Sequence, residues 1–170
     1  MNNVVCKSML IIALLLALIS LVTRNWVKKR VNIPAKGIFP AMKGTGNIGL
    51  FSSCGTDQNG NRSCTSANPD SKIKLARNLM MLSVLLLVVA LIMNIMSEKN
   101  PGNEALKMIG MGCYILGLIS MIVGIVTFTQ DVPTSTPGNK YSYDFSYYFA
   151  ILSVVLTLGS GICNFVHKTK

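Results

Sequence analysis

The sequence predicts an all-α transmembrane four-helix bundle, left-handed, carrying a small extracellular antiparallel β-sheet formed by its loops. Three observations carry that prediction. Apolar residues make up 51% of the 170 positions and charged residues only 13%, about half the charged share of an average soluble domain. The apolar residues fall in four blocks, each near the length that a bilayer demands. Between the first two blocks lies a long segment with apolar and polar residues in alternation and a pair of cysteines, the pattern of a folded loop. The length suits a single domain, residues 1–170. The apolar content excludes disorder. Its arrangement in blocks argues against a nucleic-acid partner, despite 16 Lys and Arg against 6 Asp and Glu and a net charge of +10. The first partner implied is the lipid bilayer.

The first span, residues 4–23, reaches across only if Lys7 snorkels its ammonium to the headgroups. A signal peptide is the other reading of this block, weakened by a poor Ala-x-Ala-like cleavage site. The second span, residues 75–96, is roughly 33 Å long at 1.5 Å per residue, enough for a ~30 Å hydrocarbon core. The third, 106–128, has Lys107 at its edge and no charge inside; the fourth, 145–166, carries only Asn164 and small polar residues. Four spans put both termini on one side, with loops at 24–74 and 129–144 on the other and a polar Pro-Gly turn joining the second and third spans.

Small residues recur along the spans. Gly110, Gly117 and Gly124 keep a seven-residue period, as do Ala76, Ser83 and Ala90, and small side chains let membrane helices approach closely. Ala13, Ala17 and Ser20 do the same for the first span, and Ala150, Ser153, Thr157 and Gly161 for the fourth. The ten Met residues read as fillers of irregular gaps rather than metal ligands, because no His or acidic cluster accompanies them. No cofactor is implied.

Two rules disagree about the long loop. Arg24, Lys28, Lys29, Arg30, Lys36, Lys43, Arg62, Lys72, Lys74 and Arg77 face only Asp57 and Asp70, and a surplus of Lys and Arg favours the cytoplasm. Against it, Cys54 and Cys64 bracket Asn59-Gly60, the dipeptide best suited to a tight hairpin turn. That hairpin brings the thiols together for a disulfide, which requires an oxidising compartment. Zinc binding is the poorer reading, since no His lies nearby. Asn61-Arg62-Ser63 is a glycosylation sequon at Asn61. The orientation bias weakens for a loop of this length, so the cysteines decide: the loop is extracellular and both termini are cytoplasmic. Within it, 27–33 alternates with period two, and 48–53 and 62–65 are further candidate strands, while 34–46, rich in Pro and Gly, reads as mobile.

In order along the loop stand Trp26, Gly49-Leu50-Phe51, Cys54, Cys64 and, at the mouth of the second span, Arg77. This pattern resembles the superfamily of claudins, peripheral myelin protein, epithelial membrane proteins and the lens tetraspan protein. Phe51 stands where that pattern has Trp, keeping an aromatic wedge but losing the indole N–H donor. The entry to the fourth span, Tyr143-Asp144-Phe145-Ser146-Tyr147-Tyr148, looks like the myelin and epithelial branch. The resemblance implies a sheet shared by both loops and a role in cell–cell contact, junctions or membrane organisation. The chain ends shortly after Val166, without the tail that scaffold PDZ domains capture in claudins proper.

The expected function is therefore a claudin-like protein of the plasma membrane, at cell junctions among other sites, acting through its stapled loop. It would self-associate in cis or in trans, or bind another membrane protein. One alternative is an anion-selective paracellular pore lined by Lys28, Lys29 and Arg30, with contact to anionic lipid or glycan as the simpler use of those charges. Another is an auxiliary subunit of a channel or receptor. An enzyme is not expected: the lone His167 lies at the C-terminal end and no Asp or Glu lies within a span. Cys6 and Cys163, at the inner ends of their spans, are candidate lipidation sites. Arg77 is expected to meet carbonyls or an aromatic face under the sheet, to pair with Asp144, or simply to snorkel.

Overall fold

The four apolar blocks are too long and too uniformly hydrophobic to be anything but helices in lipid, where every backbone N–H and C=O must be satisfied within the segment. The computed structural model describes residues 3–23, 25–33, 42–56, 61–66, 71–100, 102–131 and 139–168. It contains α1 (Asn3–Val22), β1 (Val27–Ile33), β2 (Met42–Ile48), β3 (Ser52–Thr56), β4 (Arg62–Ser66), α2 (Ser71–Lys99), α3 (Glu104–Asp131), β5 (Asn139–Tyr143) and α4 (Phe145–Lys168). All four helices are long and apolar enough to cross a membrane. At 29 and 28 residues, α2 and α3 reach roughly 40 Å and overshoot the hydrocarbon core.

α2 packs along α3, and α1 along α4. The α2–α3 seam is built on the seven-residue glycines: a Cβ on Gly110 would stand 3.1 Å from Met93 Cβ, on Gly117 3.1 Å from Leu87 Cγ, and on Gly124 3.1 Å from Met80 Cγ. Those side chains occupy the room that the glycines leave, the close approach that substitutes for a hydrophobic drive in lipid. Gly117→Val is expected to overpack this seam at a cost of about 1–3 kcal/mol. Gly112, with nothing within 4 Å of its Cβ position, should accept alanine without loss; unfolding of both variants in mild detergent checks the contrast. The α1–α4 seam uses hydroxyls instead. Ser153 Oγ donates to the Ala13 carbonyl at 2.8 Å and Ser160 Oγ to that of Cys6 at 2.7 Å, so small polar residues join two helices through backbone acceptors.

The strands form one antiparallel sheet in the order β4-β3-β2-β1-β5 at one end of the bundle. β1 lies where the alternation places it. The expected strand 48–53 instead straddles a turn: Ile48 ends β2, Gly49-Leu50-Phe51 reverses the chain with Gly49 N–H donating to the Ser52 carbonyl at 3.0 Å, and β3 follows. Of the stretch read as mobile, 42–46 belongs to β2, paired throughout with β1 and from Thr45 on with β3 as well, and 34–41 lies outside the described residues. β5 comes from the second loop and pairs with β1, so both loops build the sheet.

Candidate functional site

Trp26 joins sheet to bundle. Just beyond the end of α1, its ring is fully buried against Phe128 of α3, centroids 4.7 Å apart edge to face, and Tyr147 of α4 at 6.3 Å. The indole N–H donates to the Ser20 carbonyl at 2.7 Å, one of the acceptors that a helix C-terminus leaves unsatisfied. Its backbone is tied on both sides: Trp26 N–H donates to Ile48 O at 3.1 Å, and Trp26 O accepts from Asp144 N–H at 3.0 Å. One residue thus fixes β2, the start of α4 and the end of α1 together. Thr23 and Ser146 hydroxyls meet at 2.6 Å and Asn47 Nδ2 donates to Asn25 Oδ1 at 2.8 Å, extending the same junction.

The remaining motif residues gather around it. Gly49 and Leu50 are buried, with Leu50 in one apolar cluster with Trp26. Phe51 faces outward, and the Arg77 guanidinium lies 5.4 Å from its ring centroid. Arg77 thus takes the aromatic option, and Asp144 pairs instead with Lys28 at 3.0 Å, because β1–β5 pairing sets Lys28 opposite Ser142, two residues before Asp144. A cation over an aromatic face at an exposed site is worth about 0.5–1 kcal/mol, and Trp is the best such face. Phe51→Trp should raise stability in a chain with Arg77 and leave it unchanged in Arg77→Ala; a double-mutant cycle on thermal unfolding measures the coupling.

Cys54 and Cys64 are directly opposite on β3 and β4, Cα atoms 4.1 Å apart, and joined by a disulfide. Cys54 is buried and Cys64 exposed; Asn61 is exposed just before β4. The Asn59-Gly60 turn lies outside the described residues. Of the three loop cations, Lys28 pairs with Asp144, Lys29 lies 5.8 Å from the Tyr141 ring centroid, and Arg30 is exposed.

The opposite end of the bundle differs from expectation. Cys6 and Cys163 are joined by a disulfide, Cα atoms 5.6 Å apart, and are 0% and 2% exposed. Acylation needs an accessible thiolate, and neither sulfur offers one. The packing of α1 on α4 explains the pairing, since it sets the two cysteines side by side across 157 residues of sequence. Lys7 forms an ion pair with Glu98 beside the α2–α3 turn. A cavity of about 100 Å³ opens nearby, with Asn94, Ser97, Lys107 and Tyr114 among its walls, and the Tyr114 hydroxyl donates to the Thr157 carbonyl. Among the described residues, no three His, Cys, Asp or Glu side chains gather as a metal site.

No single curated protein matched the chain in sequence. The aromatic plug, the Gly-Leu-aromatic turn and the cysteine pair on facing strands stand over four membrane-spanning helices, and a comparison with known protein families matches residues 3–164; the chain belongs to the PMP-22/EMP/MP20/Claudin family and is a four-span membrane protein of that kind.

Proposed function

We propose that the protein lies in the plasma membrane with its sheet outside the cell and both termini in the cytoplasm, and that the sheet brings neighbouring membranes into contact by meeting a second copy or another membrane protein. The observation that carries the orientation is the unequal burial of the two disulfides. They lie at opposite ends of helices that cross the bilayer, so in either orientation one faces the reducing cytosol. Thiol attack needs access to sulfur. Cys64 is exposed while Cys6 and Cys163 are enclosed, so the sheet disulfide belongs on the oxidising side and burial protects the other. The exposed sequon at Asn61 favours the same side.

The sheet supports a contact role because it is a fixed platform. Strands from both loops are hydrogen-bonded to one another, and Trp26 and Asp144 bind them to the helix ends. Two of the three cations of the pore reading have partners, Asp144 and Tyr141, which favours contact over conduction. Expression in suspended cells that lack the protein should increase their aggregation, and in an epithelial monolayer should alter electrical resistance. Unchanged aggregation together with unchanged resistance contradicts the proposal.

A further inference from the structure

Strand register places three cations together on the solvent side of the sheet. Lys28 and Arg30 alternate with Val27 and Lys29 along β1, and their cross-strand partners are Asn47 and Thr45 on β2 and Ser142 and Lys140 on β5. Paired residues share a face. Arg30, Thr45, Lys140 and Ser142 are all exposed, whereas Val27 on the other face is buried. Arg30 and Lys140 are thus directly opposite, with Cα atoms about 5 Å apart, and Lys28 is two residues along at roughly 7 Å. Like charges directly opposite on a sheet destabilise it. Asp144 is committed to Lys28, and among the described residues no carboxylate pairs with Arg30 or Lys140.

We propose that this face binds a sulfated glycosaminoglycan. A sulfate bridging Arg30 and Lys140 converts their repulsion into attraction, with Thr45 and Ser142 hydroxyls as further donors. The face is open rather than enclosed, so a single free anion gains little there in high dielectric. A polymer carrying many sulfates gains through counterion release and through simultaneous contact with Arg30 and Lys140, with Lys28 beside them already balanced by Asp144. Clusters of Lys and Arg on one surface are the footprint such polyanions read. The availability of the ligand rests on the extracellular placement proposed above; the binding chemistry does not.

The test uses the full chain in phosphatidylcholine nanodiscs, which expose both sides and so read the site whichever way the protein is oriented in cells. Binding to immobilised heparin should weaken as salt rises. It should fall about tenfold in the Arg30→Gln, Lys140→Gln double variant, with the log–log salt slope reduced by about 1 per cation removed. The charge-preserving Arg30→Lys, Lys140→Arg variant should retain binding, and Lys99→Gln, at the far end of α2, should match the unaltered chain. Equal binding of desulfated heparin, equal loss in Lys99→Gln, or retention of phosphatidylserine vesicles with no heparin binding overturns the proposal. Extracellular staining of the loop on intact cells tests orientation separately.

Discussion

Trp26→Ala is expected to cost about 3–5 kcal/mol, the range for removing a large buried aromatic, and to separate the sheet from the bundle rather than merely loosen it. The ring fills the space between Ser20, Phe128 and Tyr147, and its loss leaves a cavity at the point where β2, α1 and α4 meet. The indole N–H bond to Ser20 goes as well, leaving that carbonyl only the longer 3.3 Å bond from the Thr23 hydroxyl. Trp26→Phe should fall between, retaining most of the packing and losing the hydrogen bond, a difference of about 1 kcal/mol. Unfolding in detergent, followed by Trp26 fluorescence for the parent and by circular dichroism for the variants, gives the order parent, Phe, Ala. A Phe variant as unstable as Ala places the weight on the hydrogen bond instead of on packing.

Removing the sheet disulfide, as Cys54→Ser with Cys64→Ser, should cost roughly 3 kcal/mol in the chain-entropy model for a ten-residue separation. The loss falls on β4, an edge strand, and its neighbour β3, and leaves the helices in place because their seams are made of glycine contacts, hydroxyl bonds and the separate Cys6–Cys163 bond. Hydrogen exchange should therefore quicken at 52–66 and stay unchanged in the four helices. Uniform loss of protection along the chain means that the bundle depends on the sheet. Cys64 should also be the sulfur reached first by a membrane-impermeant reductant, since Cys6 and Cys163 are enclosed.

How far the sequence foretells this depends on the range over which each feature is decided. The helices and their pairing faces were legible, because a span must be long and apolar and the period of Gly110, Gly117 and Gly124 marks a seam by itself. β1 was legible for the same reason: Val27, Val31 and Ile33 alternate with polar residues. β2 was not. Lys43, Gly44 and Gly46 read as loop by propensity, yet the segment pairs with β1 throughout and with β3 from Thr45 on, where neighbouring strands override intrinsic preference. β5 holds only five residues, and Tyr141 and Tyr143 are equally what an interfacial aromatic belt would show. Its place in the sheet comes from β1, more than a hundred residues earlier.

The candidate site divides in the same way. Trp26, Gly49-Leu50-Phe51 and the cysteine pair stand out as a motif, but what each one touches does not. Lys28 rather than Arg77 meets Asp144 because strand register, not proximity to a span, sets which cation lies over the α4 entrance. Phe128, the ring against which Trp26 packs, carries no sequence signal beyond being one apolar residue among many. The Cys6–Cys163 bond was hidden for a related reason: each cysteine alone looks like a membrane-edge thiol, and only the α1–α4 seam makes them partners.

The central claim is that the sheet lies outside the cell and acts at contacts between cells. It is tested most directly in a mosaic monolayer of expressing and non-expressing cells, stained without permeabilisation by an antibody to the 24–74 loop. The account predicts staining of intact cells, concentrated along borders where both neighbours express the protein. Staining that appears only after permeabilisation, or that spreads evenly over the surface regardless of the neighbour, contradicts it.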